Sequence, residues 1–181
     1  MNAVMQADAD KRALVVGLGL TGRSCLRYLA ARGYQVTGVD TRPTPPGFDE
    51  LRREFPSATL HAGGLKPELF ERPGLLVVSP GIAVQEAPIA QAIARGIQPL
   101  GDIELFAQAA RAPVLAITGA NGKSTVTALV GEMCKAAGLR TLVGGNIGVP
   151  ALALLEEPMP DVYVLELSSF QLETTHSLNA R

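Results

Sequence analysis

The chain has 181 residues, of which 47% are apolar and 18% charged, and its formal net charge at pH 7 is −1. This length allows one large domain or two modest ones. The charged fraction lies below the usual quarter, which favours parallel sheets whose strands are buried on both faces. A net charge so close to zero gives no reason to expect nucleic acid as a partner.

The two cysteines, Cys25 and Cys134, each lie in a helix-like segment. We interpret them as buried thiols in a reducing compartment, because two unclustered cysteines indicate neither a disulfide framework nor a metal site. The N-terminal stretch "MNAVMQADADKR" lacks the apolar run of a signal peptide, and no stretch reaches the length of a membrane span. These features predict a soluble cytoplasmic protein with no membrane partner.

The first block of the chain alternates strands with helices, which predicts a parallel, doubly wound α/β sheet. The predicted strands and helices, in chain order, are strand "RALVVG", helix "GRSCLRYLAARG" ended by Gly33, strand "YQVTGVD", helix "FDELRREF", strand "ATLHAG", strand "GLLVVSPG", helix "APIAQAIARG", strand "IQPLG" and helix "DIELFAQAAR". We place this first domain at residues 1–111.

A second block, residues 112–181, restarts the pattern. Its predicted elements are strand "PVLAITG", helix "KSTVTALVGEMCKAAG", strand "RTLVGG", helix "VPALALLEE" and strand "DVYVLELSS". Sheets of this type usually have five or six strands. With only three strands, the second block is expected to be the start of a larger domain that continues beyond "SLNAR".

The stretch "ITGANGKST" in the second block has the features of a phosphate-binding loop. Glycines follow a buried strand and precede Lys123, Ser124, Thr125 and a helix, so unpaired N–H groups and the helix dipole would favour an anion there. Gly119 and Gly122 allow the backbone to curl, Lys123 can reach terminal phosphates, and the Ser124 hydroxyl is placed for magnesium. The pattern G-x-x-x-x-G-K-[ST] is incomplete, because Ile117 stands where its first glycine would be.

A second glycine loop, "GLGLTG", follows the first predicted strand. It carries G-x-G-x-x-G at Gly17, Gly19 and Gly22, and Asp40 ends the next strand about twenty residues later, as in dinucleotide sites. Two readings remain open here: a phosphate-binding turn, or glycines needed only for close helix–strand contact. The loop "SPGI" after a later strand lies at the same carboxyl edge of the predicted sheet.

Taken together, the motifs "GLGLTG", "DTRPTPPG", "SPGI", "GDIELF", "TGANGKST", "GGNIG" and "LELSSFQLETT" closely resemble the Mur ligase family, from about residue 12 onward. Within that family they are most similar to the branch that adds D-glutamate to UDP-N-acetylmuramoyl-L-alanine. The resemblance implies a Rossmann-like domain that holds the UDP of the substrate, followed by the start of a P-loop α/β domain that binds ATP and Mg²⁺. It implies a cytoplasmic, monomeric ligase of peptidoglycan synthesis that acts through an acyl phosphate.

The resemblance also assigns roles to individual residues. The UDP-substrate contacts are Leu20, Thr21, Asp40, Thr41, Arg42 and Gly81, with Asn146, Ser168 and Gln171 positioning the muramoyl-alanine end. The ATP-phosphate loop comprises Gly119, Ala120, Asn121, Gly122, Lys123, Ser124 and Thr125. Lys123 and Glu166 are the catalytic candidates, and Ser124 and Glu166 the magnesium ligands; a hard oxygen beside phosphates suits that ion. Alternatives remain for Glu166, as a strand-end carboxylate facing solvent, and for Asn146, as a turn residue between glycines.

The family's second-metal, adenine and D-glutamate groups have no counterpart in this chain, so we expect the 181 residues alone to be inactive. Other interpretations are an NAD-dependent oxidoreductase, a non-enzymatic nucleotide-binding module and, ranked lower, the sister ligase that adds glutamate to folate. His61 and His176 match no motif and are expected at a strand edge and on a partly exposed helix. Asp102 and Glu104 are expected to cap and charge a helix start.

Overall fold

The computed structural model describes residues 11–71 and 73–181. The stretch in which we expected no signal peptide lies almost entirely outside the described residues. The chain divides into two compact units, one up to Gly101 and one from Asp102 onward. Within the described ranges, no helix has both the length and the apolar character needed to cross a membrane.

The first unit is a five-stranded parallel sheet with helices between its strands. Its strands are β1 (Arg12–Val16), β2 (Gln35–Asp40), β3 (Thr59–Ala62), β4 (Leu75–Val78) and β5 (Pro99–Leu100), and its α-helices are α1 (Leu20–Ala30), α2 (Phe48–Glu54) and α3 (Ala87–Ala94). The strand order is β3-β2-β1-β4-β5. Every predicted strand and helix of this unit is present, so the predicted α/β class is confirmed. A short 3₁₀ helix, Pro67–Phe70, was not expected.

The core of the first unit is formed by apolar side chains of the central strands. These strands are flanked on both sides, so their residues are buried on both faces, as the near-continuous apolar runs predicted. One buried cluster comprises Leu14, Val16, Val39, Phe70, Leu76, Val78, Ile89 and Ala92. Cys25 is also buried. Its burial agrees with its interpretation as a small core side chain.

The second unit is a three-stranded parallel sheet in the order β6-β8-β7. Its elements are α4 (Asp102–Ala109), β6 (Val114–Ile117), α5 (Lys123–Ala136), β7 (Thr141–Gly145), a 3₁₀ helix (Ala151–Glu156), β8 (Val162–Glu166) and α6 (Ser169–Leu172). The rings of Phe106 and Tyr163 pack edge to face in its core, with centroids 5.0 Å apart. This contact shows why α4 belongs with the second unit, whereas the sequence placed it at the end of the first domain.

Two local predictions in the second unit differ from the structure, and one helix was not predicted. The segment "VPALALLEE" forms a short 3₁₀ helix rather than an α-helix, since Pro150 and Pro158 bound it on either side. Helix α6 was not anticipated. His176 lies beyond the end of α6 and is exposed, so its placement on a helix was wrong, while His61 lies on edge strand β3 as expected.

Candidate functional site

The first candidate site lies where the strand order of the first sheet reverses. β1 pairs in parallel with both β2 and β4, and Val16 is in register with Val39 and Val78. The carboxyl ends of the three strands are therefore adjacent, and the segments after them begin at Gly17, Thr41 and Ser79. Ligands of open α/β sheets bind in the crevice outside such strand ends.

The glycine loop after β1 is packed tightly against this edge. Gly17 N–H donates to the carbonyl oxygen of Val39 at 2.7 Å, and the Ser79 hydroxyl donates to the carbonyl oxygen of Gly17 at 3.0 Å. A Cβ on Gly22 would lie 1.8 Å from the Gly17 carbonyl oxygen. Gly22 is therefore required for close helix–strand contact, which was one of the two readings left open for this motif.

Asp40 organises the same edge through its carboxylate. Oδ2 accepts from the Leu18 N–H at 2.8 Å and from Arg42 Nη2 at 2.7 Å, and Oδ1 accepts from Arg42 N and Nε, both at 2.9 Å. Burial opposes ionisation of Asp40, but hydrogen bonds from Arg42 and from the Leu18 N–H outweigh it and lower its pKa to about 2. Sequence reasoning foresaw a ligand-facing carboxylate and missed that Asp40 fixes Arg42 and the loop.

The other predicted uridine contacts of the first unit surround this carboxylate. Leu20 begins α1 and is 80% exposed, which is unusual for a large apolar side chain. Thr21 is half-buried, and Thr41, Arg42 and Gly81 are exposed at the same carboxyl edge. The structure thus brings all six predicted residues of this unit to one edge of the sheet.

The second candidate site is at the carboxyl edge of the β6-β8-β7 sheet. Glu166 at the end of β8 is in register with Ile117 of β6 and Gly145 of β7. The loop 118–122 therefore starts beside Glu166, and α5 begins at Lys123 directly after it. Gly122 adopts a left-handed conformation, with φ of 74°, which glycine accommodates without strain.

Glu166 lies at the centre of this second site and is only 2% exposed. Its Oε2 accepts from the Ser124 hydroxyl at 2.7 Å, and its Oε1 accepts from Asn146 Nδ2 at 2.8 Å. The alternative of a solvent-facing strand-end carboxylate is therefore wrong. Asn146 lies in the expected turn, yet its side chain orients Glu166, a role that spacing in the sequence did not reveal.

The remaining predicted residues of the second unit fall into two groups. Lys123 Nζ donates to the Gly119 carbonyl oxygen at 3.0 Å, so its ammonium lies over the loop, and residues 119–122, Ser124 and Thr125 are exposed around it. Ser168 and Gln171 lie beyond β8, where they form a capping box at the start of α6. The Gln171 side chain is buried and faces α4 rather than solvent.

A magnesium ion fits the donor set at the second site. Ser124 Oγ and Glu166 Oε2 are hard oxygen atoms 2.7 Å apart at the start of α5. Mg²⁺ typically takes one or two protein oxygens and completes its shell with phosphate oxygens and water. Among the described residues no group of three or more His, Cys, Asp or Glu side chains could hold a metal. A single-carboxylate site of the nucleotide type therefore fits this chain better than an all-protein cage.

Each unit thus has a parallel sheet and a glycine loop between its first strand and the next helix. This arrangement defines a protein built from a Rossmann-like unit followed by the beginning of a P-loop α/β unit. Comparison with family models gives a match to "Mur ligase MurD-like, N-terminal domain" over residues 11–101, half of the chain, and to "Mur ligase middle domain" over residues 117–180. The chain belongs to the Mur ligase family.

Curated relatives agree with this assignment. The chain is 56% identical over 173 residues to a UDP-N-acetylmuramoylalanine--D-glutamate ligase of Methylobacillus flagellatus, a match that covers 94% of this chain and 38% of the relative. A ligase of the same name from Nitrosococcus oceani is 51% identical over 180 residues, covering 99% of this chain and 40% of the relative. The chain therefore spans about two fifths of the length of these relatives.

Solved structures support the fold. The UDP-N-acetylmuramate:L-alanyl-gamma-D-glutamyl-meso-diaminopimelate ligase of Neisseria meningitides aligns with a TM-score of 0.52 at 18% identity, over 86% of this chain and 52% of that structure. The UDP-N-acetylmuramate-alanine ligase of Thermotoga maritima aligns with a TM-score of 0.51 at 19% identity, over 87% and 37%.

Proposed function

We propose that this chain is the substrate-nucleotide and ATP-phosphate part of a ligase that adds D-glutamate to UDP-N-acetylmuramoyl-L-alanine in peptidoglycan synthesis. The observation that carries the proposal is the cluster of Ser124, Glu166 and Asn146 beside the loop 119–122, next to Lys123. The names of the most similar relatives support the choice of substrate. We also propose a cytoplasmic monomer with no nucleic-acid or membrane partner; the formal net charge of −1 supports the absence of a nucleic-acid partner.

In this proposal the second site binds the phosphates of ATP. The N–H groups at the start of α5 point out of the helix and, with its dipole, favour an anion. Lys123 would exchange its contact with the Gly119 carbonyl oxygen for a phosphate oxygen, which is a stronger, charge-assisted partner. Ser124 and Glu166 would hold Mg²⁺. When bound, that ion neutralises the crowded phosphate oxygens beside the group being transferred.

The reaction itself belongs to the whole protein. A carboxylate oxygen of UDP-N-acetylmuramoyl-L-alanine attacks the γ-phosphorus of ATP, and the bond to ADP breaks to give an acyl phosphate. The D-glutamate amine then attacks the carbonyl carbon, loses a proton and expels phosphate as the amide forms. Lys123 contributes by stabilising charge on the transferred group, and Asn146 by holding Glu166 in place.

The first site would bind the uridine diphosphate end of the substrate. The exposed Leu20 side chain offers an apolar surface to a base, while Thr41 and Arg42 offer donors next to it. Asp40 would act by fixing Arg42 and the Leu18 N–H, since both of its oxygens already accept hydrogen bonds. Membership of the Mur ligase family favours UDP over NAD here.

The test of the second site is a titration of the purified chain with Mg²⁺ and a non-hydrolysable ATP analogue. Lys123→Ala should weaken binding about tenfold or more, because a charge-assisted hydrogen bond is lost. Lys135→Ala is the matched control, since Lys135 lies on the same helix but pairs with Glu132 at 2.8 Å. Equal affinities for the original chain and Lys123→Ala would contradict the phosphate site.

The test of the first site is a competition between UDP and NAD in calorimetry. We expect UDP to bind more tightly than NAD, and Asp40→Ala to weaken UDP because Arg42 and the loop lose their anchor. Tighter binding of NAD would favour the oxidoreductase interpretation instead. Unchanged UDP affinity in Asp40→Ala would remove Asp40 from the site.

A further inference from the structure

Asp102 is a buried carboxylate that the proposed chemistry does not use. It is the first residue of α4 and only 2% of it is exposed. Its Oδ2 accepts a hydrogen bond from Gln171 Nε2 at 3.0 Å, across 69 residues of sequence. Within the described part of the chain, no donor is in hydrogen-bonding geometry to its Oδ1. The sequence predicted that Asp102 would cap and charge the start of a helix, and did not predict its burial.

The partner of Asp102 is itself fully engaged. Gln171 Oε1 accepts from the Ser168 N–H at 3.0 Å and from the Ser168 hydroxyl at 3.3 Å. In return, the Gln171 N–H donates to Ser168 Oγ at 3.2 Å, which completes the capping box of α6. The three side chains therefore form a continuous chain of hydrogen bonds from Asp102 to Ser168.

The chemistry of the groups gives this chain a direction. A side-chain amide has a donor end and an acceptor end, whereas an ionised carboxylate only accepts. Asp102 therefore requires the NH₂ group of Gln171 to face it, and the Gln171 oxygen must then face Ser168. If the amide were reversed, its oxygen would oppose the carboxylate and its NH₂ group would oppose the Ser168 N–H, leaving buried groups unpaired.

We propose that Asp102 is a positioning residue, whose carboxylate fixes the Gln171 amide and through it the backbone and hydroxyl of Ser168. Ser168 lies two residues beyond Glu166, at the carboxyl end of β8 where the second candidate site is built. The fixing of Ser168 by Asp102 and Gln171 is a property of the ligand-free chain and does not depend on the proposed function. Only its consequence for substrate affinity rests on the function proposed above.

An exchange of charge between the two partners tests the direction of the chain. Gln171→Glu replaces the donor that faces Asp102 with a second carboxylate. At about pH 8, where Asp102 is ionised, the two carboxylates repel each other and the contact is weakened. Asp102→Asn combined with Gln171→Glu restores it in reverse, because the new amide donates to the new carboxylate. That carboxylate still accepts from the Ser168 N–H. The shapes of the side chains hardly change in either substitution.

The measurement is hydrogen exchange of the Ser168 amide, followed by NMR in the ligand-free 181-residue chain. We expect Gln171→Glu to speed the exchange about tenfold, as for a lost buried hydrogen bond. The double variant should return the exchange rate close to that of the original chain. Exchange in the double variant that is as fast as in Gln171→Glu would overturn the proposal.

Glu104→Gln is the matched control for a merely structural effect. Glu104 lies on the same helix and is also buried, but it accepts from the N–H groups of His176 and Ser177 rather than from the capping box. Its substitution should destabilise the 176–177 segment and leave the Ser168 amide unchanged. If Glu104→Gln speeds Ser168 exchange as much as Gln171→Glu does, the role of Asp102 is general stability and the proposal fails.

A parallel titration with UDP-N-acetylmuramoyl-L-alanine separates this inference from the proposed function. We expect about tenfold weaker binding in Asp102→Leu, which removes the acceptor of Gln171 Nε2 and leaves the predicted substrate residues Ser168 and Gln171 in place. Exchange rates that follow the pattern above while this affinity stays constant would support the positioning of Ser168 and overturn its role as a substrate contact.

Discussion

The two glycine loops of this chain differ in what surrounds them. In the first loop, a Cβ on Gly17 would lie 2.8 Å from the Ser79 side chain, and one on Gly22 would lie 1.8 Å from a carbonyl oxygen. In the second loop, a Cβ on Gly119 or Gly122 would meet nothing within 4 Å. Close neighbours exclude a side chain from the first loop, where Gly17 also has a positive φ of 92°. In the second loop only the positive φ of Gly119 and Gly122 favours glycine.

This difference indicates how each loop would hold its ligand. The first is clamped by the strand ends and by Ser79, so its shape is set before any ligand arrives. The second is open to solvent, and in the described part of the chain the Lys123 ammonium donates to its own loop carbonyl, a partner that a phosphate can replace. Glycine spacing alone does not distinguish a packed turn from an open phosphate loop.

The largest expected effect is that of Gly22→Ala. The new methyl group would displace the Gly17 backbone, so we expect the first unit to lose roughly 3 kcal/mol or more of unfolding free energy. In the second loop, Gly122→Ala should cost only about 1 kcal/mol, for the left-handed conformation. Urea unfolding followed by hydrogen-exchange mass spectrometry reports each unit from its own peptides.

Gly19→Ala is the control within the first loop, since a Cβ there meets nothing within 4 Å and its φ of −77° suits alanine. It should leave stability nearly unchanged. If Gly22→Ala lowers the free energy of unfolding no more than Gly122→Ala does, the proposed difference between a crowded first loop and an open second loop is contradicted.

The next effect concerns two buried carboxylates with opposite behaviour. Burial raises the pKa of Asp102 to about 6, against the opposing hydrogen bond from Gln171, whereas the partners of Asp40 lower its pKa to about 2. The pKa of Asp102 in the folded chain exceeds its ordinary value of 3.8. Its stabilising contribution to the free energy of unfolding is therefore fully present below pH 3.8 and is lost as pH rises through 6. The second unit should therefore gain about 2 kcal/mol between pH 7 and 4.5.

Glu104, on the same helix, provides a control for this pH response. Burial opposes ionisation of Glu104, but hydrogen bonds from Gln108, His176 and Ser177 outweigh it and lower its pKa. The stability that Glu104 gives to the second unit is therefore lost only as pH falls below its ordinary pKa of 4.5. Asp102→Asn should flatten the gain between pH 7 and 4.5, while Glu104→Gln should preserve it. A second unit that weakens steadily over that range would contradict the raised pKa of Asp102.

A smaller effect is expected for Arg42→Ala in the first unit. The variant removes two hydrogen bonds to Asp40 but keeps those from backbone N–H groups, so the pKa of Asp40 should rise by about one unit. The stability that Asp40 provides is present above pH 3.8 and is lost as pH falls toward 2; in the variant that loss begins at higher pH. NMR titration of the Asp40 carboxyl measures the shift, and Arg53→Ala, at an exposed pair with Glu50, should leave it unchanged.

The smallest expected effect is on the outer face of α5. Val126, Leu129 and Met133 lie one or two turns apart on α5 and are 45%, 58% and 62% exposed. Leu129→Gln should change the unfolding free energy by less than about 0.5 kcal/mol. A loss of several kcal/mol on thermal or urea unfolding would show that this face is covered.

The sequence predicted the strands of both units because buried parallel strands are near-continuous apolar runs bounded by glycine or proline. The family resemblance, and not the spacing, grouped Lys123, Ser124 and Glu166. In the structure Glu166 lies beside the end of β6, and the Ser124 hydroxyl donates to it. Their roles toward ATP and magnesium stay predictions.

The partners of the polar side chains could not be predicted from spacing. Asp102 and Gln171 are 69 residues apart, and only the packing of α4 beside α6 brings them together. The one available signal was that Asp102 and Glu104 stand among Ile103, Leu105 and Phe106, so an ordinary helix cap was an incomplete account. Asn146 was predicted as a substrate contact, with a turn residue as the alternative. Neither interpretation included its contact with Glu166, which depends on strand pairing and not on its neighbours in sequence.

The bond between Glu104 and residues 176 and 177 joins the beginning of the second unit to a segment more than seventy residues later. During synthesis on a ribosome, α4 emerges long before these partners, and its two carboxylates must stay hydrated until Gln171 and Ser177 arrive. The first unit, whose strands and helices are complete by Gly101, can fold while the second is still being translated. Folding is therefore expected to proceed vectorially, and the packing of α4 in the second unit must await translation of the 171–177 segment.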